Sequence, residues 1–303
     1  MLKRFVVSTL FAAVGLSAPS HAQMRAGPRV PVPARISVPP DGLTVPMQEM
    51  GGRPVVELKI NGRGPYRFIL DTGATTTVIA NDLSRELSLA PPEGLHVASP
   101  DGGTPPAIVI VDDIRVGDAN LQGLIAAVMP LGGLLNDENP PRGILSAASF
   151  PGYLVIYDYL GRRISIRKGS IESADFKTSF QYTDEQVLPT VPIRIAGHET
   201  QVHLDTGSGF GLTLPMKFLK ELPLASQPKE AGKARTHAGE FPVSVARVDG
   251  AIELGTYKLD LNEVRFSDVR PGPGPVVGNI GYEVLRHFVV TLDSKNRRIR
   301  IDR

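Results

Sequence analysis

Two identical tripeptides in this chain carry groups that can do chemistry. They are Asp71-Thr72-Gly73 and Asp205-Thr206-Gly207, 134 positions apart. Hydrolysis of an amide by water needs a base to take the proton of the water and an acid to protonate the carbonyl oxygen. Two carboxyl groups held together can do both. Like charges repel, so they do not both ionise, and the pair keeps one proton between a base and an acid. The pKa values then belong to the pair. A single Asp-Thr-Gly would be an ordinary turn, because Asp and Gly favour turns. Two copies at equivalent places in a repeat point to a shared task. Asp71 and Asp205 are therefore the candidate catalytic residues, with Thr72, Gly73, Thr206 and Gly207 as their support. The threonine hydroxyls can bond locally or across an interface, and the glycines let backbone approach closely.

The elements that must position these groups are legible as strands. Val55 to Gly62 alternates and runs into an Asn-Gly turn, and Tyr66 to Asp71 follows with Tyr66, Phe68 and Leu70 on one face. The second copy is Val191 to Gly197, then Gln201 to Asp205, where Val202 and Leu204 replace Phe68 and Leu70. The register persists: Ile114-Arg115-Val116-Gly117 matches Ile252-Glu253-Leu254-Gly255 at an offset of 138, and Asp158, Arg162, Arg163, Ile164 and Ile166 match Asp293, Arg297, Arg298, Ile299 and Ile301 at 135. A near-constant offset across three blocks marks a tandem duplication. Helical stretches are short: Asn81 to Leu87, Lys217 to Leu222, and Tyr282 to His287. With 31 Gly and 27 Pro punctuating short apolar runs, the chain reads as all-β, two β-rich lobes joined by a polar linker.

Lys3 and Arg4 precede an apolar run from Phe5 to Ser17, and Ser20-His21-Ala22 supplies small residues for cleavage after Ala22. Residues 1–22 are thus expected to be a signal peptide, and the apolar run is too short for a comfortable membrane span. Removing Lys3 and Arg4 leaves 31 basic against 31 acidic residues, a balance that points to neither nucleic acid nor an anionic membrane. The absence of cysteine excludes disulfides, a thiol nucleophile and zinc thiolates. A secreted chain without cysteine fits a bacterial periplasm better than a eukaryotic extracellular space. The expected division is 1–22 signal, 23–50 Pro/Gly-rich leader or linker, 51–167 first lobe, 168–186 linker, and 187–303 second lobe.

These features resemble the retropepsin-like aspartic peptidases, of the bacterial secreted type with two retroviral-protease-like domains fused. The resemblance rests on Asp71-Thr72-Gly73-Ala74, on Asp205-Thr206-Gly207-Ser208, and on an apolar-apolar-Gly segment before a short helix. That segment is Gly278-Asn279-Ile280-Gly281 in the second half; the first half has Gly143-Ile144-Leu145-Ser146, with Ser146 where the family has Gly. The resemblance covers roughly residues 51–303. It implies two closed β lobes with a short helix each and an active site at a pseudo-two-fold interface. Asp71 and Asp205 would hold a catalytic water and share one proton, as aspartic protease pairs do. It implies an endopeptidase acting on polypeptide, without metal or other cofactor, as a monomer with two pseudo-symmetric lobes. It also implies a glycine-bearing flap from each lobe: Gly102 and Gly103 in the first, Gly239 in the second. A plain surface hairpin is the competing reading for each flap. Lobes swapped between chains are an alternative assembly, and a non-catalytic peptide-binding module is the alternative function, clasping an extended chain by strand addition.

Three further motifs carry nothing. His198 and His203 are five apart, whereas helical zinc ligands sit four apart, and the alternation there is that of a strand. Gly207-Ser208-Gly209-Phe210-Gly211 lacks dinucleotide-loop spacing and context. No Gly-x-Ser-x-Gly elbow supports a serine triad.

Overall fold

The structure is a computed structural model and describes residues 32–91, 107–131, 138–182, 188–236, 239–269 and 276–303. The first half contributes β1 (Arg35–Ser37), β2 (Leu43–Pro46), β3 (Gln48–Met50), β4 (Arg53–Ile60), β5 (Arg63–Asp71) and β6 (Thr77–Ala80). Helix α1 (Asn81–Glu86) and strands β7 (Ala107–Val116), β8 (Ala119–Met129) and β9 (Gly143–Ser146) follow, then β10 (Leu154–Asp158) and β11 (Arg163–Arg167). The second half contributes β12 (Ser179–Gln181), β13 (Thr190–Ile195), β14 (His198–Leu204), β15 (Leu212–Leu214) and α2 (Phe218–Glu221). Then come β16 (Lys229–Thr236), β17 (Gly239–Ala246), β18 (Ile252–Leu254), β19 (Tyr257–Leu259), β20 (Val264–Phe266) and β21 (Gly278–Ile280). Helix α3 (Tyr282–Leu285), β22 (Val289–Asp293) and β23 (Arg298–Asp302) close the chain.

The first lobe is a closed ring: β4 pairs β5, β5 pairs β9, β9 pairs β6, β6 pairs β8, β8 pairs β7, and β7 returns to β4. The second lobe repeats it from β13 through β14, β21, β15 and β20 to β17. There the last strand is broken: β17 pairs β20, while β18, further along the same segment, pairs β13. Strand alternation turns one face of each strand inward. Phe68, Leu70, Val202 and Leu204 are at most 1% exposed and pack into the cores.

A third sheet belongs to neither lobe. Its order is β12-β23-β22-β10-β11-β2, and Tyr157 of β10 stands opposite Val290 of β22. The segments that repeat at an offset of 135 thus leave their own rings and pair with each other. Two expected boundaries shift as well. The leader of residues 23–50 contains β1, β2 and β3, paired to β8, β11 and β4. The linker of residues 168–186 contains β12, paired to β23. Strands of three or four residues have no period to read; only long-range partners define them. Among the described residues, no helix is long and apolar enough to cross a membrane.

Candidate active site

Asp71 ends β5 and Asp205 follows β14. In both lobes that strand lies parallel to the strand of the apolar-apolar-Gly segment, with Asp71 opposite Ser146 and Leu204 opposite Ile280. The two loops that follow meet at the lobe interface and lock reciprocally. Thr72 Oγ1 donates to the Leu204 carbonyl at 2.6 Å and accepts from Thr206 N at 3.0 Å. Thr206 Oγ1 donates to the Leu70 carbonyl at 2.9 Å and accepts from Thr72 N at 3.0 Å. Both threonines are buried. Each such bond contributes about 1 kcal/mol net, and losing one would also strand a buried partner.

The glycines explain themselves by space. A Cβ on Gly73 would lie 2.6 Å from Asp205 Oδ1, and one on Gly207 would lie 2.4 Å from Asp71 Oδ2. Each glycine therefore admits the other lobe's aspartate. Asp71 and Asp205 are 3% and 0% exposed, close enough for a side-chain hydrogen bond between them. Burial raises both carboxyls above the usual range, Asp71 to about 6. Asp205 is raised further by the charge of Asp71. The Gly73 and Gly207 N–H groups both donate to Asp71 Oδ1, at 2.7 and 3.0 Å, and hold it down toward the charged form. Asp205 Oδ1 is buried without a hydrogen-bond partner.

Ser146 departs from the family's glycine without disturbing the site. It is fully buried, its Oγ donates to the Ala74 carbonyl at 2.6 Å, and the same Oγ accepts from Ala148 N at 3.3 Å, capping the 3-10 turn Ala147–Ser149. At Gly281 a Cβ would meet the Ser208 and Phe210 carbonyls at 2.6 Å each. There the Ser208 carbonyl accepts instead from Tyr282 N at 2.9 Å. A hydroxyl in one lobe does what a backbone amide does in the other.

The flap residues Gly102 and Gly103 lie outside the described residues. Gly239 begins β17, which forms a hairpin with β16, with Thr236 opposite Gly239. His198 and His203 fall on β14, five residues apart and so on opposite faces, the first exposed and the second buried.

Sequence reasoning missed three residues at the site. Asn279 Nδ2 donates to Asp205 Oδ2 at 2.5 Å. His203 stands opposite Asn279 in register, on the face of Asp205. Burial lowers its pKa to about 4, so the imidazole is neutral near pH 7. Arg53, 5% exposed, reaches from β4 into the second lobe, where Nε donates to the Gly207 carbonyl at 2.7 Å. The signal for Arg53 was the repeat itself, which aligns it with the apolar Leu188.

A family model described as aspartyl protease matches residues 56–148 and again residues 191–284. The matches span more than half of the chain, one on each ring, and each includes one Asp-Thr-Gly. Fold and site together define a two-lobed, retropepsin-like protein, and the chain belongs to the aspartyl protease family. No curated protein matches it.

Proposed function

We propose that the chain is an endopeptidase that hydrolyses polypeptide with a water activated between Asp71 and Asp205. One observation carries the reading: two buried carboxyls from duplicated loops meet across a reciprocal threonine lock, with only glycine between them. Asp71 is the base. Its Oδ1 holds two N–H donors, which favour its charged form. Asp205 is the acid, since burial and the charge of Asp71 keep its proton on. As the water attacks the scissile carbonyl carbon, its proton passes to Asp71 while Asp205 protonates the carbonyl oxygen. The tetrahedral intermediate then collapses: the C–N bond breaks as the amine takes the proton from Asp71, and a hydroxyl of the intermediate returns its proton to Asp205 as the C=O bond re-forms, restoring the one-proton pair. No metal or organic cofactor takes part in this scheme. Residues 1–22 act as a signal peptide in the same reading, delivering a monomeric enzyme to the periplasm.

The test is digestion of a mixed peptide library by the mature chain at several pH values, read by mass spectrometry. Cleavage by the wild type and none by Asp71→Asn or Asp205→Asn is the expected result. Binding without cleavage at any pH would instead make the site a peptide-binding module. Near-normal cleavage by either variant would sink the two-aspartate mechanism.

A further inference from the structure

Arg53 is a buried cation without an ion-pair partner among the described residues. It is anchored at Nε by the Gly207 carbonyl, 2.7 Å away, and at Nη1 by the Gly51 carbonyl, 2.8 Å away. Both are neutral acceptors. An isolated charge at this depth is costly unless a counter-charge compensates it. The charges that act on Arg53 are those of Asp205 and Asp71.

The surroundings show a built contact. Gly51 and Gly52, both at positive φ, turn the β3–β4 hairpin so that Arg53 enters the second lobe. A Cβ on Gly209 would lie 2.5 Å from the Gly51 carbonyl and 3.3 Å from Arg53 Nη1, so the second Asp-Thr-Gly loop wraps the hairpin tip. Tyr282 seals the junction by donating to Glu49 of β3. The repeat places Leu188 where Arg53 stands, so the first Asp-Thr-Gly loop receives no equivalent cation.

We propose that Arg53 is the counter-charge of the aspartate pair: a positioning residue that seats the Asp205 loop and sets the pH range over which the pair holds one proton. This rests on reading Asp71 and Asp205 as a one-proton pair. One guanidinium against one shared negative charge leaves the buried cluster neutral. Among the described residues, the other groups that act on the pair supply no positive charge. Tyr157 and Tyr159 are fully buried phenols held protonated, His203 is neutral, and Glu49, bonded to Tyr282, is a carboxyl. Losing the cation should raise both ionisations of the pair, because each adds negative charge beside Arg53.

Two measurements on the whole chain test this without using cleavage. In the first, NMR follows the titration of the Asp71 and Asp205 carboxyl carbons. Arg53→Met should move the pair upward by about one pH unit or more, a tenfold rise in proton affinity, whereas Arg53→Lys should stay near wild type. A methionine variant that titrates like wild type overturns the proposal. So does a lysine variant displaced as far as the methionine one, since contacts and not charge would then matter. In the second, melting temperatures are compared at pH 7. Adding Asp71→Asn to Asp205→Asn removes the last negative charge. The change in melting temperature on adding Asp71→Asn should be less favourable by several degrees with Arg53 in place than in the Arg53→Met background, because only there does it strand a cation. Equal effects in both backgrounds overturn the proposal. Should Arg53→Met not fold, Arg53→Gln takes its place in both measurements. A chain that titrates as expected yet cleaves nothing would refute the peptidase reading and leave the role of Arg53 standing.

Discussion

Asp71 shares its strand face with Ile69 and has Ile144 on the adjoining strand, whereas the same places around Asp205 hold His203 and Asn279. Both isoleucines are nearly fully buried. On the second side, His203 Nδ1 and Asn279 Oδ1 are buried without partners, and Asn279 donates to Asp205. The two loops also differ in what they receive from the opposite lobe: Gly207 accepts from Arg53, and the repeat puts a leucine in the reciprocal position. The duplicated motif thus presents two equivalent aspartates in unequal surroundings. For the one-proton pair proposed above, that inequality is useful, because different surroundings push the two members toward different protonation states.

The strongest way to break the comparison is at the aspartates. Asp71→Asn and Asp205→Asn should each lower the cleavage rate at least about a thousandfold, since each removes one half of the proton relay. The raised pKa of Asp205 means that its ionisation is opposed in the fold, so its favourable contribution is complete below about pH 4 and is lost as pH rises through the folded value. Asp205→Asn should therefore melt above wild type at neutral pH, with the gap closing toward pH 4 in thermal denaturation.

Next come the two family-glycine positions. Gly281→Ala forces a Cβ to within 2.6 Å of two carbonyls and should cost about 3 kcal/mol. Ser146→Ala removes one buried hydroxyl and should cost about 1 kcal/mol, through loss of the bond to the Ala74 carbonyl. Urea denaturation checks both, and equal costs would mean that the lobes use these positions alike.

His203 offers a pH test. Its folded pKa of about 4 lies below the ordinary 6.5, so the fold resists its protonation and loses stability as pH falls from about 6.5 toward 4. His203→Ile, which copies the first lobe, should remove an acid-side loss of about 3 kcal/mol. Parallel pH–stability curves for variant and wild type would show that His203 is not held neutral.

The smallest effect is expected at Asn279. Asn279→Ile removes the donor to Asp205 Oδ2, so Asp205 should keep its proton to higher pH. The alkaline limb of the pH–rate profile should move up by about one pH unit or less. A shift of the acid limb alone would mean that Asn279 acts on Asp71.

Much of this protein was legible in its residues. Repeated apolar alternation at Val55 to Asp71 and Val191 to Asp205 implied paired strands, because a pleated strand with one buried face must alternate. The doubled Asp-Thr-Gly implied two equivalent loops, since glycine is needed where another chain segment presses close. The three-residue strands β1, β3 and β12 were not legible. Nor was the departure of β10, β11, β22 and β23 into a shared sheet, because a strand's own pattern shows that a face is buried and not which strand lies beside it. The residue pattern alone carries the duplication, the all-β class and the doubled Asp-Thr-Gly. That Arg53, far from the second motif in sequence, lies against its loop and that Asn279 bonds to Asp205 emerges from the three-dimensional arrangement. Those contacts depend on how two barrels dock, and docking is set by surfaces assembled from distant segments.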